Sequence, residues 1–106
     1  MDKTVPYVIL TTCPDGENAG RIAGILVTEH LAACVNVVPG IQSWYRWQGT
    51  VQSSQEHLLV IKTSSDRYER LEKRLQALHP YELPEIIAVS VADGLPAYLS
   101  WLFHPE

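Results

Sequence analysis

Two adjacent β-type segments are the feature that most limits how this chain can fold. Residues 33–47 and 50–63 both have strand composition, and only the pair Gln48-Gly49 lies between them. A two-residue connection that ends in glycine is typical of a β-hairpin. At ~3.3 Å per residue, the first strand would be on the order of 40 Å long. A domain with a radius of gyration of ~13 Å is only about 34 Å across. The hairpin is therefore predicted to project beyond the rest of the chain.

The end of this hairpin carries three large aromatic side chains. Trp44, Tyr45 and Trp47 lie close to the turn, and Pro39-Gly40 earlier in the strand predicts a bulge or bend. Isolated two-stranded ribbons are marginal in water, and clusters of aromatic residues are rarely exposed on monomers. Two interpretations stay open. Either the aromatic residues fold back on their own subunit, or the hairpin pairs with neighbouring copies in a closed cyclic oligomer.

The residues before the hairpin predict a strand followed by a helix. Residues 5–12 are β-rich and largely apolar, and Cys13-Pro14-Asp15-Gly16 predicts a turn. Asp15 or Glu17 is expected to cap the helix, because a carboxylate accepts the free amide hydrogens there. Apolar residues at helical spacing indicate the helix itself: Ala19, Ile22, Ala23, Leu26, Val27 and Leu31.

The residues after the hairpin predict a helix, a strand and a further short helix. Ser64, Ser65 or Asp66 is expected to cap the first of these helices, which ends before Pro80. Its apolar stripe consists of Tyr68, Leu71, Leu75 and Leu78. Residues 86–91 predict the fourth strand. Residues 95–103 predict a terminal helix with Tyr98, Trp101 and Leu102 on one face.

The element order β-α-β-β-α-β predicts an α+β fold, a ferredoxin-like sandwich formed by one domain over residues 1–106. Right-handed crossovers place the third strand between the first and second, and the fourth strand beside the first. Two helices then cover one face of the sheet. The extended hairpin and the short C-terminal helix are additions to this plan. Because the fold supports many unrelated functions, it does not decide the function.

Charge and hydropathy argue against several classes of partner. The net charge is -4 with His neutral, and the basic residues are scattered along the chain. Those on the predicted second helix alternate with acidic residues instead of forming a stripe. Nucleic-acid affinity depends on clustered cations, so no nucleic-acid partner is expected. No stretch approaches the ~20 apolar residues that span a bilayer. We expect a cytoplasmic protein without direct membrane insertion, in which Cys13 and Cys34 stay reduced.

The predicted topology brings two chemically active segments to one rim of the sheet, where the first strand ends and the fourth begins. This rim holds Cys13, Asp15, Glu17, His79, Tyr81, Glu82 and Glu85. A thiol, an imidazole and carboxylates can form a divalent transition-metal site, for which copper or zinc is favoured. Each residue also has a structural interpretation: Cys13 as a small buried side chain, His79 as a helix-end residue and Glu82 as a solvated acid.

Motifs of conventional catalysis are missing from the sequence. It contains no G-x-S-x-G, no P-loop and no dinucleotide-binding fingerprint. Cys13 and His79 could be drawn as a nucleophile and a base, but no orienting group or oxyanion hole is evident. The chain is therefore predicted not to be an enzyme.

Several blocks of sequence, in order, resemble the CutA family of divalent-cation tolerance proteins. The blocks are Thr11-Thr12-Cys13-Pro14 with Glu17, Leu31-Ala32-Ala33-Cys34-Val35-Asn36, Ser43-Trp44-Tyr45-Arg46-Trp47-Gln48-Gly49, Ile61-Lys62-Thr63, His79-Pro80-Tyr81-Glu82-Leu83-Pro84-Glu85 and Tyr98-Leu99-Ser100-Trp101. Together they span residues 8–101. The Leu-Ala-Ala-Cys-Val-Asn and His-Pro-Tyr-Glu-Leu-Pro-Glu blocks are the most specific.

The resemblance implies a homotrimer similar in architecture to PII signalling proteins, with a link to copper and other divalent metal ions. It implies no catalytic activity. Carried onto this sequence, it makes Cys13, His79 and Glu82 the candidate metal ligands. Some members with a proposed copper site have a thiol at the position of Thr11 and a second histidine at that of Leu78. Cys13 lies two residues beyond Thr11, which on a strand places both on one face.

Three functions remain in competition at this stage. The first is a trimeric protein that binds or responds to divalent metal ions. The second is a PII-like module that binds an effector in clefts between subunits, near Lys62, Tyr81 and Glu82. The third is a structural partner for another protein.

Overall fold

The computed structural model describes residues 3–106, which form one four-stranded sheet and three helices. The elements follow in the order β1 (Pro6–Cys13), α1 (Gly16–Thr28), β2 (Cys34–Trp47), β3 (Thr50–Ser64), α2 (Tyr68–Leu78), β4 (Ile87–Ser90) and α3 (Pro96–Phe103). This is the predicted β-α-β-β-α-β order with a short C-terminal helix. The α+β, ferredoxin-like fold class is confirmed.

The sheet has the strand order β2-β3-β1-β4, as the crossover rule predicts. β1 is central and pairs antiparallel with β3, where Ile9 lies opposite Ile61, and with β4, where Leu10 lies opposite Ile87. β4 is short, so the chain between α2 and β4 passes the end of β1 as an irregular loop, residues 79–86. This loop positions the site described below.

The hydrophobic core lies between one face of the sheet and helices α1 and α2. Strand residues on this face alternate with residues on the opposite face, and both helices contribute one apolar stripe. The buried cluster consists of Ile9, Cys13, Ala19, Ile22, Leu26, Leu31, Ala32, Leu59, Ile61, Leu71 and Leu75. The predicted stripes are confirmed for Leu71 and Leu75 of α2 and, in α1, for the buried residues Ala19, Ile22 and Leu26. Two residues of the predicted α1 stripe differ: Val27 is 41% exposed, and Leu31 lies beyond the helix, which ends at Thr28.

Helix ends show one confirmed and one wrong prediction. Asp15 caps α1, because its Oδ1 accepts a hydrogen bond of 2.8 Å from the amide of Asn18. None of the three residues predicted to cap α2 does so; the cap position is Arg67, without a side-chain cap bond. The hydroxyl of Ser65 instead accepts a hydrogen bond from the amide of Val5 at 2.9 Å. A tertiary contact therefore takes the oxygen that a local cap would use.

The terminal helix α3 buries less of its predicted face than expected. Leu102 is buried, but Tyr98 and Trp101 are 41% and 37% exposed. Their rings contact each other with centroids 5.7 Å apart. In a helix of eight residues, these two side chains cover one another instead of reaching the sheet.

The hairpin of β2 and β3 projects from the body, as predicted. The molecule measures 47 × 25 × 23 Å. At the tip, Gln48 and Gly49 both have positive φ, of 50° and 84°, which is the backbone of a type I′ turn. The register shifts between Val38 and Ile41, and Gly40 has a φ of 69°. The bulge predicted at Pro39-Gly40 is therefore confirmed.

The face of the sheet opposite α1 and α2 also carries apolar side chains, and we call it the open face. By the strand registers it comprises Val8, Leu10, Val38, Leu58, Val60, Ile87 and Val89. Val38, Ile87 and Val89 are 41%, 49% and 50% exposed, and the others are half-buried. A sheet face with this composition is normally covered.

Candidate ligand site at the base of the hairpin

The loop at residues 79–86 is anchored to the end of β1 by the ring of His79. The Nε2 atom of His79 lies 3.1 Å from Oγ1 of Thr11 and 3.0 Å from the carbonyl oxygen of Thr12. The Nδ1 atom accepts a hydrogen bond of 3.2 Å from the amide of Tyr81. These partners assign the ring proton to Nε2, which donates to Thr12. His79 therefore connects the two segments that the sequence placed on one rim.

Burial favours the neutral form of this histidine. The His79 side chain is 8% exposed. Desolvation lowers its pKa, which the hydrogen bond to Thr12 and the charge of Glu56 only partly oppose. A neutral ring with both nitrogens bonded is a structural tie between loop and strand.

Cys13 lies beneath the same rim, inside the core. It is fully buried, and its thiol belongs to the hydrophobic cluster. Burial is the main cause that raises its pKa to about 11, with smaller contributions from Asp15 and Glu56. The thiol is therefore protonated at neutral pH.

Glu56 is the site residue that the sequence reasoning missed. It lies on β3 opposite the bulge, next to Ile41 across the strands, and is only 7% exposed. Its Oε2 accepts a hydrogen bond of 2.6 Å from the hydroxyl of Tyr81. Burial and this bond raise the pKa of Tyr81. The sequence does contain one signal for it: Glu56 lies two residues before the apolar run that begins at Leu58, in the strand that pairs with the predicted bulge.

The bulge decides which side chains accompany Glu56. Before it, Val38 pairs with Leu58, and after it Ile41 pairs with Glu56, so β2 has one more residue than β3 across this step. A shift of one residue moves every following side chain to the other face. Tyr45 and Trp47 consequently lie on the face that carries Glu56.

Together these segments enclose a cavity of about 540 Å³ between the hairpin and the loop. It is lined by Thr12, Tyr45, Arg46, Trp47, Glu56, Tyr81, Glu82, Leu83, Pro84 and Glu85. Of the rim residues predicted from sequence, Tyr81, Glu82 and Glu85 line this cavity. Cys13 and His79 lie behind its wall.

The predicted metal ligands do not form a ready site within one subunit. The ring nitrogens of His79 already have protein partners, and the Cys13 thiol is buried and protonated. Transition-metal ions need a deprotonated thiol and a free imidazole nitrogen. Among residues 3–106, no group of three or more His, Cys, Asp or Glu side chains is arranged to hold a metal ion. Cys13, His79 and Glu82 as ligands stay a prediction.

Sequence comparison identifies the family of this chain. A model of the family described as CutA1 divalent ion tolerance protein matches residues 7–104. The chain belongs to this family. It is 53% identical over 95 residues to the divalent-cation tolerance protein CutA of Thermus thermophilus, covering 90% of this chain and 92% of that protein. It is 46% identical over 101 residues to the chloroplastic CutA of Arabidopsis thaliana, covering 94% of this chain and 56% of that longer protein.

Solved CutA structures have the same fold. The T. thermophilus protein matches with a TM-score of 0.90 and 51% identity, over 92% of this chain and 95% of that one. CutA from Xylella fastidiosa matches with a TM-score of 0.89 and 52% identity, over 92% and 93%. A CutA described as periplasmic, from Archaeoglobus fulgidus, has a TM-score of 0.88 and 35% identity over 92% and 94%.

Membership of the CutA family settles the broad class of function. Proteins of the CutA family are non-enzymatic tolerance proteins, which agrees with the prediction that this chain is not an enzyme. The names of its relatives include a chloroplastic and a periplasmic protein, so the family is not restricted to one compartment. In the part of the chain that the structure describes, no helix has the length and apolar composition needed to cross a bilayer.

Proposed function

We propose that this protein acts in divalent-cation tolerance as a homotrimer that binds or responds to copper or another divalent metal ion. The family supports the link to divalent cations. The trimer is supported by one observation above all: the open face and the projecting hairpin leave apolar side chains in water on a single subunit. Trp44 is 69% exposed at the tip, and Val89 is 50% exposed on the open face.

Assembly explains these exposed groups better than a monomer does. Tyr45 and Trp47 face the loop at residues 79–86 of their own subunit across the cavity, yet they stay 43% and 42% exposed, and Trp44 is more exposed still. Cyclic symmetry lets each hairpin reach a neighbour, so that three open faces meet around one axis. Burial of apolar area at roughly 25 cal/mol per Å² would then stabilise hairpin and sheet together.

Sedimentation equilibrium tests the trimer. We expect a three-subunit mass for the wild type at micromolar concentration and a lower mass for Val89→Lys, because a charge would be buried on the open face. Val27→Lys is the matched control, since Val27 is a similarly exposed valine, 41%, on helix α1. A monomeric wild type, or equal masses for Val89→Lys and the wild type, would contradict the proposal.

Metal binding is tested by calorimetric titration of the reduced protein with Zn²⁺ and Cu²⁺ under anaerobic conditions. If the predicted ligands hold the ion, Cys13→Ala, His79→Ala and Glu82→Gln each weaken binding at least roughly tenfold, as loss of a ligand does. Matched controls are Cys34→Ala, His104→Ala and Glu69→Gln, which lie away from the rim. Unchanged affinity in all three rim variants would remove these residues as ligands. No heat of binding in the wild type would remove direct metal binding from the proposal.

The cavity favours a second candidate function, effector binding in a PII-like trimer. It lies between the hairpin and the loop at residues 79–86, where a neighbouring subunit can complete it. A thermal-shift screen with nucleotides, small anions and small cations tests this candidate. A ligand at a hundredfold excess over its Kd raises the free energy of unfolding by about 2.7 kcal/mol. A screen without any stabilising ligand would contradict it.

We place the protein in the cytoplasm as part of the same proposal. Cys13 and Cys34 are free thiols in the structure, which is typical of a reducing compartment. Immunoblotting of cell fractions tests this location, and recovery from a membrane or periplasmic fraction would contradict it. A protein partner would be sought by crosslinking in the same fractions.

A further inference from the structure

The cavity has an acid at its inner end that lacks a cationic partner. Glu56 is 7% exposed, yet among residues 3–106 it forms no ion pair. Its Oε2 accepts the hydrogen bond from Tyr81. Within the same residues its Oε1 has no hydrogen-bond donor, and since no buried side-chain oxygen there is left without a partner, Oε1 is accessible from the cavity side. A carboxylate that is largely removed from water is stabilised by a cationic partner that can reach its accessible oxygen. The cavity beside it is open to a ligand.

The walls of the cavity are aromatic. Tyr45, Trp47 and Tyr81 line it together with Leu83 and Pro84. Aromatic faces attract cations, and the attraction grows as the cation is desolvated. They also pack against methylene groups. The walls therefore favour a cation that carries an alkyl chain over a bare metal ion, for which the described residues offer no cluster of ligands.

The charges at the mouth of the cavity favour the same kind of ligand. Glu82 and Glu85 line the outer part, and Arg46 is the one basic residue among the lining residues. Adjacent strand residues project from opposite faces, so the side chain of Arg46 leaves the strand on the side opposite to Tyr45 and Trp47. With three carboxylates and one guanidinium among its lining residues, the cavity carries an excess of negative charge, which disfavours nucleotides and other anions.

We infer that this cavity binds a protonated aliphatic amine, whose ammonium group donates to Oε1 of Glu56 while its alkyl chain lies against Trp47 and Tyr45. A second amino group at the other end of the alkyl chain would face the carboxylates of Glu82 and Glu85, which also line the cavity. This inference gives the effector-binding candidate a class of ligand and rests on that candidate, not on metal binding. Its ligand would be a mono- or diamine.

Titration of the full-length protein with 1,4-diaminobutane, followed by ¹H–¹⁵N NMR, tests the inference. We expect saturable shifts of the Trp47 indole signal, weaker binding of butylamine, and no binding of 1-butanol, which has the alkyl chain without the charge. Glu56→Gln should weaken diamine binding roughly tenfold, as expected for loss of a charged hydrogen-bond partner. Glu69→Gln, on the exposed face of α2, is the matched control and should bind like the wild type.

The outcomes of this titration distinguish failure of the amine inference from failure of the effector-binding candidate. Equal binding of 1-butanol and butylamine, or unchanged diamine binding in Glu56→Gln, would overturn it. The inference is also overturned if neither the wild type nor Glu56→Gln binds the diamine. If Glu56→Gln then also has a lower sedimentation mass than the wild type, a cationic side chain of a second copy occupies the cavity. If the thermal-shift screen finds a stabilising anion but no amine, effector binding stands without this ligand class.

Discussion

The two halves of the long hairpin have the same backbone structure but opposite environments. The proximal half, residues 34–38 and 58–62, lies within the sheet, and its Leu59 and Ile61 are fully buried under the helices. The distal half, residues 41–47 and 50–56, has the same antiparallel pairing, yet Val51 is 62% exposed and Trp44 is 69% exposed. The bulge at Pro39-Gly40 separates them.

This difference shows that strand pairing and stability have different sources here. Hydrogen bonds of the ladder replace hydrogen bonds to water, so each contributes little net free energy. Apolar burial stabilises the proximal half, whereas residues 41–47 and 50–56 include no buried apolar side chain in a single subunit. A two-stranded ribbon of this kind is marginal alone. The proposed trimer would supply the distal half with the contacts that its own subunit does not provide.

The largest expected effect comes from matched truncations on β3, one in each half. Leu59→Ala removes a fully buried side chain and should lower the free energy of unfolding by about 2–5 kcal/mol. Val51→Ala, on the same strand but exposed, should change it by less than about 0.5 kcal/mol in the monomeric form. Urea denaturation followed by circular dichroism measures both, with Val89→Lys as the monomeric background.

The same pair of substitutions also tests the proposed assembly when it is measured in the wild-type background. If neighbouring copies cover the distal half, Val51→Ala should cost more in the wild-type background than in the monomeric one. If Val51→Ala lowered the free energy of unfolding equally in the wild type and in Val89→Lys, the distal half would stay exposed to water in both. If Leu59→Ala lowered the free energy of unfolding only slightly, the proximal half would not be stabilised by apolar burial.

The boundary between the halves is tested by Gly40→Ala, the next largest effect. Gly40 has a φ of 69°, and a Cβ there meets no atom within 4 Å, so the cost is backbone strain alone. A non-glycine residue in this region costs about 1–2 kcal/mol. Gly49→Ala, at a φ of 84° in the turn, is the control with similar strain. Gly40→Ala alone should also shift the NMR signals of Tyr45 and Trp47, because they depend on the bulge; equal spectra for both variants would argue against its role.

His79, which connects the loop at residues 79–86 to β1, should make the free energy of unfolding depend on pH. Burial lowers the pKa of His79 in the folded protein, so the unfolded chain binds the proton more tightly. The free energy of unfolding should therefore rise with pH from the lowered folded value up to the unfolded value near ~6.5, and fall on acidification. Urea midpoints between pH 5 and about 7 in chelator-treated buffer measure this slope. His79→Gln should flatten it; an unchanged slope would assign the effect to another group.

The smallest expected effect lies on the surface of the body. Arg74 donates two hydrogen bonds to Glu29, at 2.9 and 2.8 Å, and so connects α2 to the C-terminal end of α1. Both side chains are partly exposed, so water and salt screen the pair. Arg74→Ala should shift the thermal midpoint only slightly, and less at high salt. A shift comparable to that of Leu59→Ala would contradict the ranking.

The sequence predicts most of this fold because its local signals agree with one another. The turn at Gln48-Gly49, the stripe of α2 and the apolar run of β1 each specify one element, and crossover handedness then orders the strands. The cap of α2 could not be predicted, because Ser65 is taken by Val5, a residue distant in sequence.

The site is predicted only in part, for a related reason. Topology brings His79 and Cys13 to one rim. Burial then favours the neutral imidazole of His79 and the protonated thiol of Cys13, which the sequence pattern does not encode. Glu56 escapes prediction because its burial depends on Tyr81 from another loop and on the register shift in β2. Each miss is a long-range contact that no local pattern encodes.

The bulge has one more consequence, for solubility. β2 is an outer strand of the sheet in a single subunit, and it is 14 residues long. A straight edge strand of this length would expose unpaired backbone groups to which strands of other chains can pair, as in amyloid fibrils. Pro39 has no amide hydrogen to offer, and the kink beside it turns the two parts of the strand out of line. The protein can therefore carry a long ribbon without providing an uninterrupted template for aggregation.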